Sequence, residues 1–250
     1  MARRYLTTAE VARVVGVHPN TVRLYEQWGF LPPISRDPRN GYRRFTPQHL
    51  AQMRLARTAL QWPYPGGKEP VLALVYKAAA GDLGGALEQA YHYLAQVQAA
   101  RARAEAAATL LERWAQGVPA DATARPLRIG EAARHLGLSQ DTLRNWERNG
   151  LLEVPRDPHN RYRLYHAAEI ARLRVIRMLR EAGYSTMAIL RMLLQLDGGE
   201  GADPRAALDA PRPDEDILSV ADHWLSTLTA QESRAREIIG QLEAMLEGGL

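Results

Sequence analysis

An internal duplication is the feature of this 250-residue sequence that most limits what the chain can fold into. The string Thr21-Val22-Arg23 matches Thr142-Leu143-Arg144 at an offset of 121 residues. After a one-residue deletion the offset becomes 120, and Arg36-Asp37-Pro38 then matches Arg156-Asp157-Pro158. The chain therefore contains two copies of one unit, and both copies are expected to share a fold.

Each copy begins with the pattern of a helix-turn-helix. In the first copy Thr7 and Glu10 form a capping box that opens a helix, and Gly16 suits the left-handed residue that ends it. A second helix is predicted from Pro19 to about residue 28. In the second copy Ser139 is the predicted N-cap of the equivalent helix. Two short helices joined by a turn that contains glycine are typical of a DNA-binding helix-turn-helix.

A β-hairpin is predicted directly after each helix pair. In the first copy two extended segments, residues 31–36 and 42–45, flank a turn in which Asn40-Gly41 supplies the positive φ angles. In the second copy Arg161 replaces the glycine, so we expect either that Asn160 takes the left-handed conformation or that the turn differs. A hairpin in this position is typical of the wing of a winged helix-turn-helix.

Two long helices, over residues 83–116 and 215–247, are predicted to pair. Each carries apolar residues spaced alternately by four and three, as in a coiled coil. Each apolar seam has one charged interruption, Arg101 in the first helix and Glu232 in the second. In an antiparallel pairing these two side chains would meet, either as a partly buried ion pair that sets the register or with both turned to solvent.

The predicted fold is mainly α, with two winged helix-turn-helix domains, each with a small β-hairpin wing, joined by long helices that form an antiparallel coiled coil with pseudo-two-fold symmetry. Shorter helices are expected over residues 47–61, 167–181 and 183–195. The predicted boundaries are residues 1–62 for the first winged domain, 63–118 for a helical scaffold with the first long helix, 119–126 for a linker, 127–196 for the second winged domain, 197–213 for a loop and 214–250 for the C-terminal long helix.

Positive charge is concentrated in the two copies. Residues 1–60 hold ten arginines against three acidic residues, and residues 125–195 hold thirteen against seven, although the whole sequence has a net charge of only +4. Two basic segments indicate two modules that bind a polyanion.

Other classes of protein are disfavoured by what the sequence lacks. It has no cysteine, and its seven histidines are scattered. We find no glycine-rich phosphate loop and no pattern of a nucleophile with its base, so we expect neither an enzyme nor a cofactor or metal site. We also find no signal peptide and no apolar run long enough to span a membrane, so the expected location is the cytoplasm.

Both copies resemble the DNA-binding region of the MerR family of transcriptional regulators, over residues 5–62 and 127–195. The first copy reads Thr-Val-Arg-Leu-Tyr-Glu-Gln-Trp-Gly-Phe-Leu and then Asn-Gly-Tyr-Arg-Arg-Phe. The second reads Thr-Leu-Arg-Asn-Trp-Glu-Arg-Asn-Gly-Leu-Leu and then Asn-Arg-Tyr-Arg-Leu-Tyr. Family members are usually homodimers with antiparallel long helices, and many bend or untwist promoter DNA. Here both halves lie in one chain and no effector domain is recognisable, so signal-responsive switching is not carried over.

The resemblance implies that the second helix of each copy enters the major groove and that the wings hold the backbone near the minor groove. Arg23 and Arg144 would bind a guanine edge or a phosphate, and Tyr25 would donate its hydroxyl to a phosphate. Trp146 would donate its indole N–H or pack on a sugar. The candidate DNA-binding residues are Thr21, Arg23, Tyr25, Arg36, Tyr42, Arg43, Arg44, Thr142, Arg144, Trp146, Arg156, Tyr162 and Arg163.

Several of these side chains have an alternative role within the fold. Arg23 and Arg144 would form simple surface ion pairs if each bound the glutamate three residues later. Tyr42 and Tyr162 would serve mainly to pack the wing on the helix. Asp141 would accept a hydrogen bond from a cytosine amine, but the helix dipole alone also favours an acid in the first turn.

The predicted function is sequence-specific regulation of transcription, with one chain acting on double-stranded DNA as a pseudo-dimer at the nucleoid. The second helices of the two copies, which would read the bases, differ most clearly at their N-terminal ends, with His18 and Asn20 in one and Ser139 and Gln140 in the other. We therefore expect an asymmetric operator with two half-sites, which the protein would bend. RNA polymerase is a further candidate partner, and self-association beyond the monomer is left open. The alternatives are an architectural or accessory protein of recombination and a regulator that binds a small molecule among the aromatic residues of the scaffold.

Overall fold

The computed structural model describes residues 5–61, 64, 67–116, 125–197, 203–209 and 224–248. These residues are mainly helical, with one two-stranded sheet among them. Within these ranges we find no helix with the length and apolar character needed to cross a bilayer. The chain divides into two compact units, Met1–Ala99 with Leu228–Leu250 and Ala100–Thr227, and each unit contains one copy of the repeat.

The first unit contains the first copy and parts of both long helices. Its elements, in chain order, are α1 (Thr8–Val15), α2 (Pro19–Gln27), β1 (Ser35–Arg36), β2 (Arg43–Arg44), α3 (Pro47–Ala59), α4 (Glu69–Ala79) and the beginning of α5 (Leu83–Ala115).

The second unit contains the end of α5 and the second copy. Its further elements are α6 (Ile129–Leu136), α7 (Gln140–Arg148), α8 (Ala167–Glu181), α9 (Thr186–Asp197) and α10 (Pro204–Asp209). The last helix, α11 (Trp224–Glu247), begins at the end of this unit, and most of it belongs to the first unit. Residues 215–223 of the predicted C-terminal helix lie outside the described residues.

The helix-turn-helix of each copy forms as its local sequence predicts. The backbone N–H of Glu10 donates to the Thr7 hydroxyl at 3.3 Å, and the Thr7 N–H donates to the Glu10 carboxylate at 2.7 Å, which confirms the capping box. Gly16 has a φ of 70° and ends α1 in the left-handed conformation. In the second copy Ser139 caps α7 by accepting the backbone N–H of Thr142 at 3.0 Å.

The core of the first copy joins its helices to the end of the wing. Val11 and Val15 of α1, Val22 of α2, Phe45 after β2 and Met53 of α3 are all buried and pack together. Residue 45 is also held by backbone hydrogen bonds to residue 6, at 2.8 and 3.0 Å, and residues 165 and 127 are joined in the same way in the second copy. The end of the wing is therefore held by backbone hydrogen bonds in each copy.

The wing of the second copy differs from the predicted hairpin. In the first copy Ser35 pairs with Arg44 and Arg36 with Arg43, whereas the two arms of the second wing are joined by an isolated bridge between residues 156 and 163. The residue equivalent to Ser35 is Pro155, which has no N–H to donate to the ladder, although its carbonyl accepts the N–H of residue 164 at 2.9 Å.

The turn of the second wing also corrects a sequence prediction. Arg161, with a φ of 63°, takes the left-handed conformation, so the expectation that Asn160 would do so is wrong. The Asn160 side chain instead accepts the N–H of Tyr162 at 3.0 Å. Asn40 binds the N–H two residues later in the same way in the first copy, so the asparagine closes the turn and the residue after it takes the positive φ.

A short helix, α10, lies within residues 197–213, which were predicted to be a loop. Pro204 opens this helix, as suits its restricted φ, and Leu208 is fully buried. Burial of this one leucine side chain stabilises the helix. The glycine, aspartate and proline residues around it are typical of a loop, and for that reason the sequence did not predict it.

The two long helices are joined by side-chain hydrogen bonds within the first unit. The Tyr91 hydroxyl donates to Glu243 at 2.9 Å, and the Gln98 amide donates to Glu232 at 3.2 Å. Higher residue numbers in α5 thus meet lower numbers in α11, so the helices run in opposite directions here. Glu232 is buried and also accepts from Arg236, while its predicted pair with Arg101 stays a prediction.

Tyr165 provides a test of the packing in the second copy. Its side chain is fully buried, its hydroxyl has no hydrogen-bond partner among the described residues, and burial raises its pKa. Phe45, also fully buried, is its equivalent in the first copy. We predict that Tyr165→Phe raises the free energy of unfolding by about 1 kcal/mol, because it removes an unpaired buried hydroxyl and keeps the ring. Urea denaturation measures this change, with Phe45→Tyr expected to shift stability the opposite way. A loss of stability in Tyr165→Phe would contradict the prediction.

Candidate nucleic-acid interface

The arginine of each reading helix, α2 or α7, is held by the residue three positions before it. The Arg23 Nη1 donates to Asn20 Oδ1 at 2.8 Å, and the Arg144 Nη1 donates to Asp141 Oδ1 at 2.8 Å. The alternative in which each arginine binds the glutamate three residues later is wrong, because those glutamates bind the wing. Both arginines are exposed at the middle of their helices, one turn after the N-terminal residues that face base edges in a helix-turn-helix.

An ion pair between the reading helix and the wing is present in both copies. Arg43 Nε lies 2.5 Å from Glu26 Oε2, and Arg163 Nε lies 2.6 Å from Glu147 Oε2. The four side chains are between 19% and 28% exposed, so water screens these pairs only in part. Arg43 and Arg163 thus position the wing, and the contacts predicted between them and the DNA backbone would use their Nη nitrogens.

The wing tyrosines are presented to solvent. Tyr42 is 73% exposed and Tyr162 is 60% exposed, so the alternative in which they mainly pack the wing on the helix is wrong. The Arg128 guanidinium lies 5.3 Å from the centre of the Tyr162 ring, within the range of a cation–π contact. The exposed tyrosine rings are therefore available to a DNA backbone.

Arg44 holds the base of the first wing. Its Nη2 lies 2.5 Å from Asp37 Oδ2, and its guanidinium lies 5.1 Å from the centre of the Tyr5 ring. The pKa of Asp37 is lowered first by the backbone N–H of Arg39 and then by the side chain of Arg44. The carboxylate therefore stays ionised to a lower pH than an ordinary aspartate, and its hydrogen bonds continue to hold the turn as the pH falls.

The aromatic residues predicted to bind phosphate or sugar serve largely in packing. Tyr25 is partly buried, burial raises the pKa of its hydroxyl, and its ring lies 5.5 Å from that of Phe30 and 6.3 Å from that of Trp28. Trp146, its equivalent, is only 8% exposed. Their contacts with DNA stay predictions, and the buried indole leaves little surface for one.

A basic groove of about 700 Å³ lies between α7 and the wing of the second copy. It brings together the predicted residues Arg144, Arg156, Tyr162 and Arg163 with two that the sequence analysis missed, Arg128 and Arg161. The repeat contained the signal for both, because arginine stands there in place of Thr7 and Gly41 of the first copy. A concave surface with this charge fits a phosphate backbone.

The remaining candidates lie beside these groups. Arg36 is exposed and donates to the Gly41 carbonyl at 3.4 Å, and Arg156 makes the same contact with the Arg161 carbonyl at 3.4 Å. Thr21 and Thr142 are partly exposed.

The aromatic residues of the scaffold mostly have partners within the fold. The buried Tyr93 donates to Gln231 at 3.2 Å, and the Tyr64 hydroxyl donates to the Leu60 carbonyl at 2.5 Å. Trp114 lines a surface groove of about 380 Å³ with Arg172 and other residues of the second unit. Trp62 and the side chain of Trp224, which the ligand-binding alternative also included, lie outside the described structure.

Comparison with known proteins gives two matches to a single family. The family described as MerR HTH family regulatory protein matches residues 6–62 and 127–196, which together cover half of the chain. These segments coincide with the two copies of the winged helix-turn-helix.

Individual relatives match over shorter stretches. The mercuric resistance operon regulatory protein of Bacillus cereus is 34% identical over 73 residues, which are 29% of this chain and 55% of that protein. The HTH-type transcriptional regulator CueR of Escherichia coli O157:H7 is 38% identical over 56 residues, 22% of this chain and 41% of CueR. The mercuric resistance operon regulatory protein of Pseudomonas fluorescens is 27% identical over 129 residues, 49% of this chain and 89% of that protein.

This chain spans about half the length of the first of these relatives. No solved structure matches. The family match nevertheless covers both copies, and in each copy it falls on a capped helix-turn-helix followed by an arginine-bearing wing. The protein therefore belongs to the MerR family of helix-turn-helix regulatory proteins.

Proposed function

We propose that the protein regulates transcription by binding one DNA duplex with both copies of its repeat, so that a single chain acts as a pseudo-dimer. The observation that carries this proposal is the ion pair between reading helix and wing, at 2.5 Å in one copy and 2.6 Å in the other. Because both copies hold their wing in this way, each offers a helix for the major groove and a wing for the backbone.

The operator is proposed to be asymmetric, because the two copies differ where they would meet DNA. The second copy adds Arg128 and Arg161, where the first has Thr7 and Gly41. The first copy in turn has Arg39 and Arg44 where the second has His159 and Leu164, so the arginines that can neutralise phosphates stand at different points of the two copies. Two half-sites about one helical turn apart would let both reading helices enter the same face of the duplex, and a bend would bring the wings closer to the backbone.

The long helices are proposed to form an antiparallel coiled coil that sets the distance between the copies. The hydrogen bonds of Tyr91 and Gln98 of α5 with α11 support this pairing over part of its length. Since α5 continues from the first unit into the second, it also connects the two copies covalently. Tethering raises the effective concentration of the second copy once the first has bound, which increases avidity by about 10²–10⁴-fold when the spacing fits.

The two reading arginines test whether both copies bind. We predict that Arg23→Ala and Arg144→Ala each weaken binding to a duplex selected with the unmodified protein by about tenfold or more, because each removes a contact with a base edge or a phosphate. The double substitution should weaken binding further. Fluorescence anisotropy measures the affinities, and the mass of the complex should correspond to one chain per duplex.

Arg103→Ala is the matched control for these substitutions, because Arg103 is an exposed arginine of α5 outside both copies. It should leave the affinity close to that of the unmodified protein. If either Arg23→Ala or Arg144→Ala behaves like this control, only one copy reads DNA and the pseudo-dimer is wrong.

Arg161 tests the added basic residues of the second copy. Its φ of 63° is unfavourable for a residue with a side chain, whereas its equivalent Gly41 has a φ of 72° without that penalty. We predict that Arg161→Gly raises the free energy of unfolding by up to about 1 kcal/mol and yet weakens DNA binding. The slope of log K against log salt concentration should fall by about 1, since one phosphate contact is lost. An unchanged salt slope would show that Arg161 does not touch the backbone.

A further inference from the structure

We infer that Asn20 and Asp141 give the two reading helices different base preferences, which deepens the proposed DNA-binding function and rests on it. Each is the second residue of its helix, and each accepts a hydrogen bond of 2.8 Å from the Nη1 of the arginine three residues later. The two copies thus place the same pair of positions in the same arrangement. The partner of the arginine is an amide in the first copy and a carboxylate in the second.

The first helix offers donors to a base. The Oδ1 of Asn20 already accepts one hydrogen bond from Arg23, so the groups of this pair with no bond to each other are the amide NH₂ of Asn20 and the other N–H groups of the guanidinium, which outnumber the one remaining lone pair of Oδ1. Guanine presents two acceptors, O6 and N7, in the major groove, whereas cytosine presents the donor N4–H₂. The Asn20 and Arg23 pair therefore favours guanine and disfavours cytosine.

The second helix offers an acceptor beside its donors. Only one carboxylate oxygen of Asp141 is bound by Arg144, so the other remains to accept a hydrogen bond. The N4 amino group of cytosine is the base-edge donor that a carboxylate recognises. Arg144 also donates to Gln140 at 3.4 Å, a contact that Pro19 cannot make in the first copy. The Asp141 and Arg144 pair therefore favours a cytosine where the first helix rejects it.

As an acid in the first turn of α7, Asp141 interacts favourably with the helix dipole, but its local contacts add little beyond that. The N-terminus of α7 is already capped by Ser139, and the Asp141 side chain is 88% exposed. An ion pair this exposed contributes little to stability. A carboxylate at a DNA surface also repels phosphates, and a hydrogen bond to a cytosine amino group offsets that repulsion.

The reciprocal exchange Asp141→Asn and Asn20→Asp, in the full-length chain, tests this inference. An asymmetric duplex is first selected with the unmodified protein, and each base pair of each half-site is then replaced in turn. We expect Asp141→Asn to reduce the preference for cytosine at one position of the second half-site by about tenfold and to leave the first half-site unchanged. Asn20→Asp should raise the relative affinity for cytosine in the first half-site. Fluorescence anisotropy at one fixed salt concentration measures both changes.

Glu153→Gln is the matched control, because it removes one exposed carboxylate of the second copy outside the reading helix. If Asp141→Asn changes the affinity for every base pair equally, as this control would, the carboxylate acts only through its charge and the inference is overturned. That outcome leaves the proposed function intact. An unmodified protein that binds all duplexes alike would instead overturn the proposed function itself.

Discussion

An ion pair between the reading helix and the wing is the contact on which each copy of the interface depends. The helix supplies Glu26 or Glu147 and the wing supplies Arg43 or Arg163, with N–O distances of 2.5 and 2.6 Å. These side chains are mostly shielded from water, so removal of Arg43 would leave the partly buried charge of Glu26 without this partner, whereas Glu147 would still lie 4.0 Å from Arg156. Since the wing contains at most two short strands, its own hydrogen bonds hold it weakly, and the ion pair sets its position.

The duplication conserves this framework and changes the chemistry around it. Phe45 in one copy and Tyr165 in the other fill the same buried position, and only the tyrosine has a polar group. Gly41 and Arg161 adopt the same backbone conformation, but only the second adds a positive charge. Two copies with a common shape and different surfaces are physically suited to a DNA site whose halves differ, which a symmetric homodimer is not.

Features that arise within a few residues were predictable from the sequence. The Thr7 and Glu10 capping box and the left-handed Gly16 are confirmed because their hydrogen bonds lie within one helical turn. Two sequence predictions were wrong, and in each case a single residue is the cause. Pro155 removes a ladder donor from the second wing, and a single buried leucine stabilises α10 where a loop was expected.

What the sequence alone determined is therefore the repeat, the order of its helices and the family to which the chain belongs. Only the tertiary structure decided which charges meet. Arg43 and Glu26 are 17 residues apart, and the sequence does not show that Arg43 binds Glu26 while its neighbour Arg44 binds Asp37. The tertiary structure also decided that most of α11 belongs with the first copy, since heptad spacing describes an apolar seam and does not identify the surface that covers it. Long-range contacts depend on how separate elements pack together, and no local pattern contains that information.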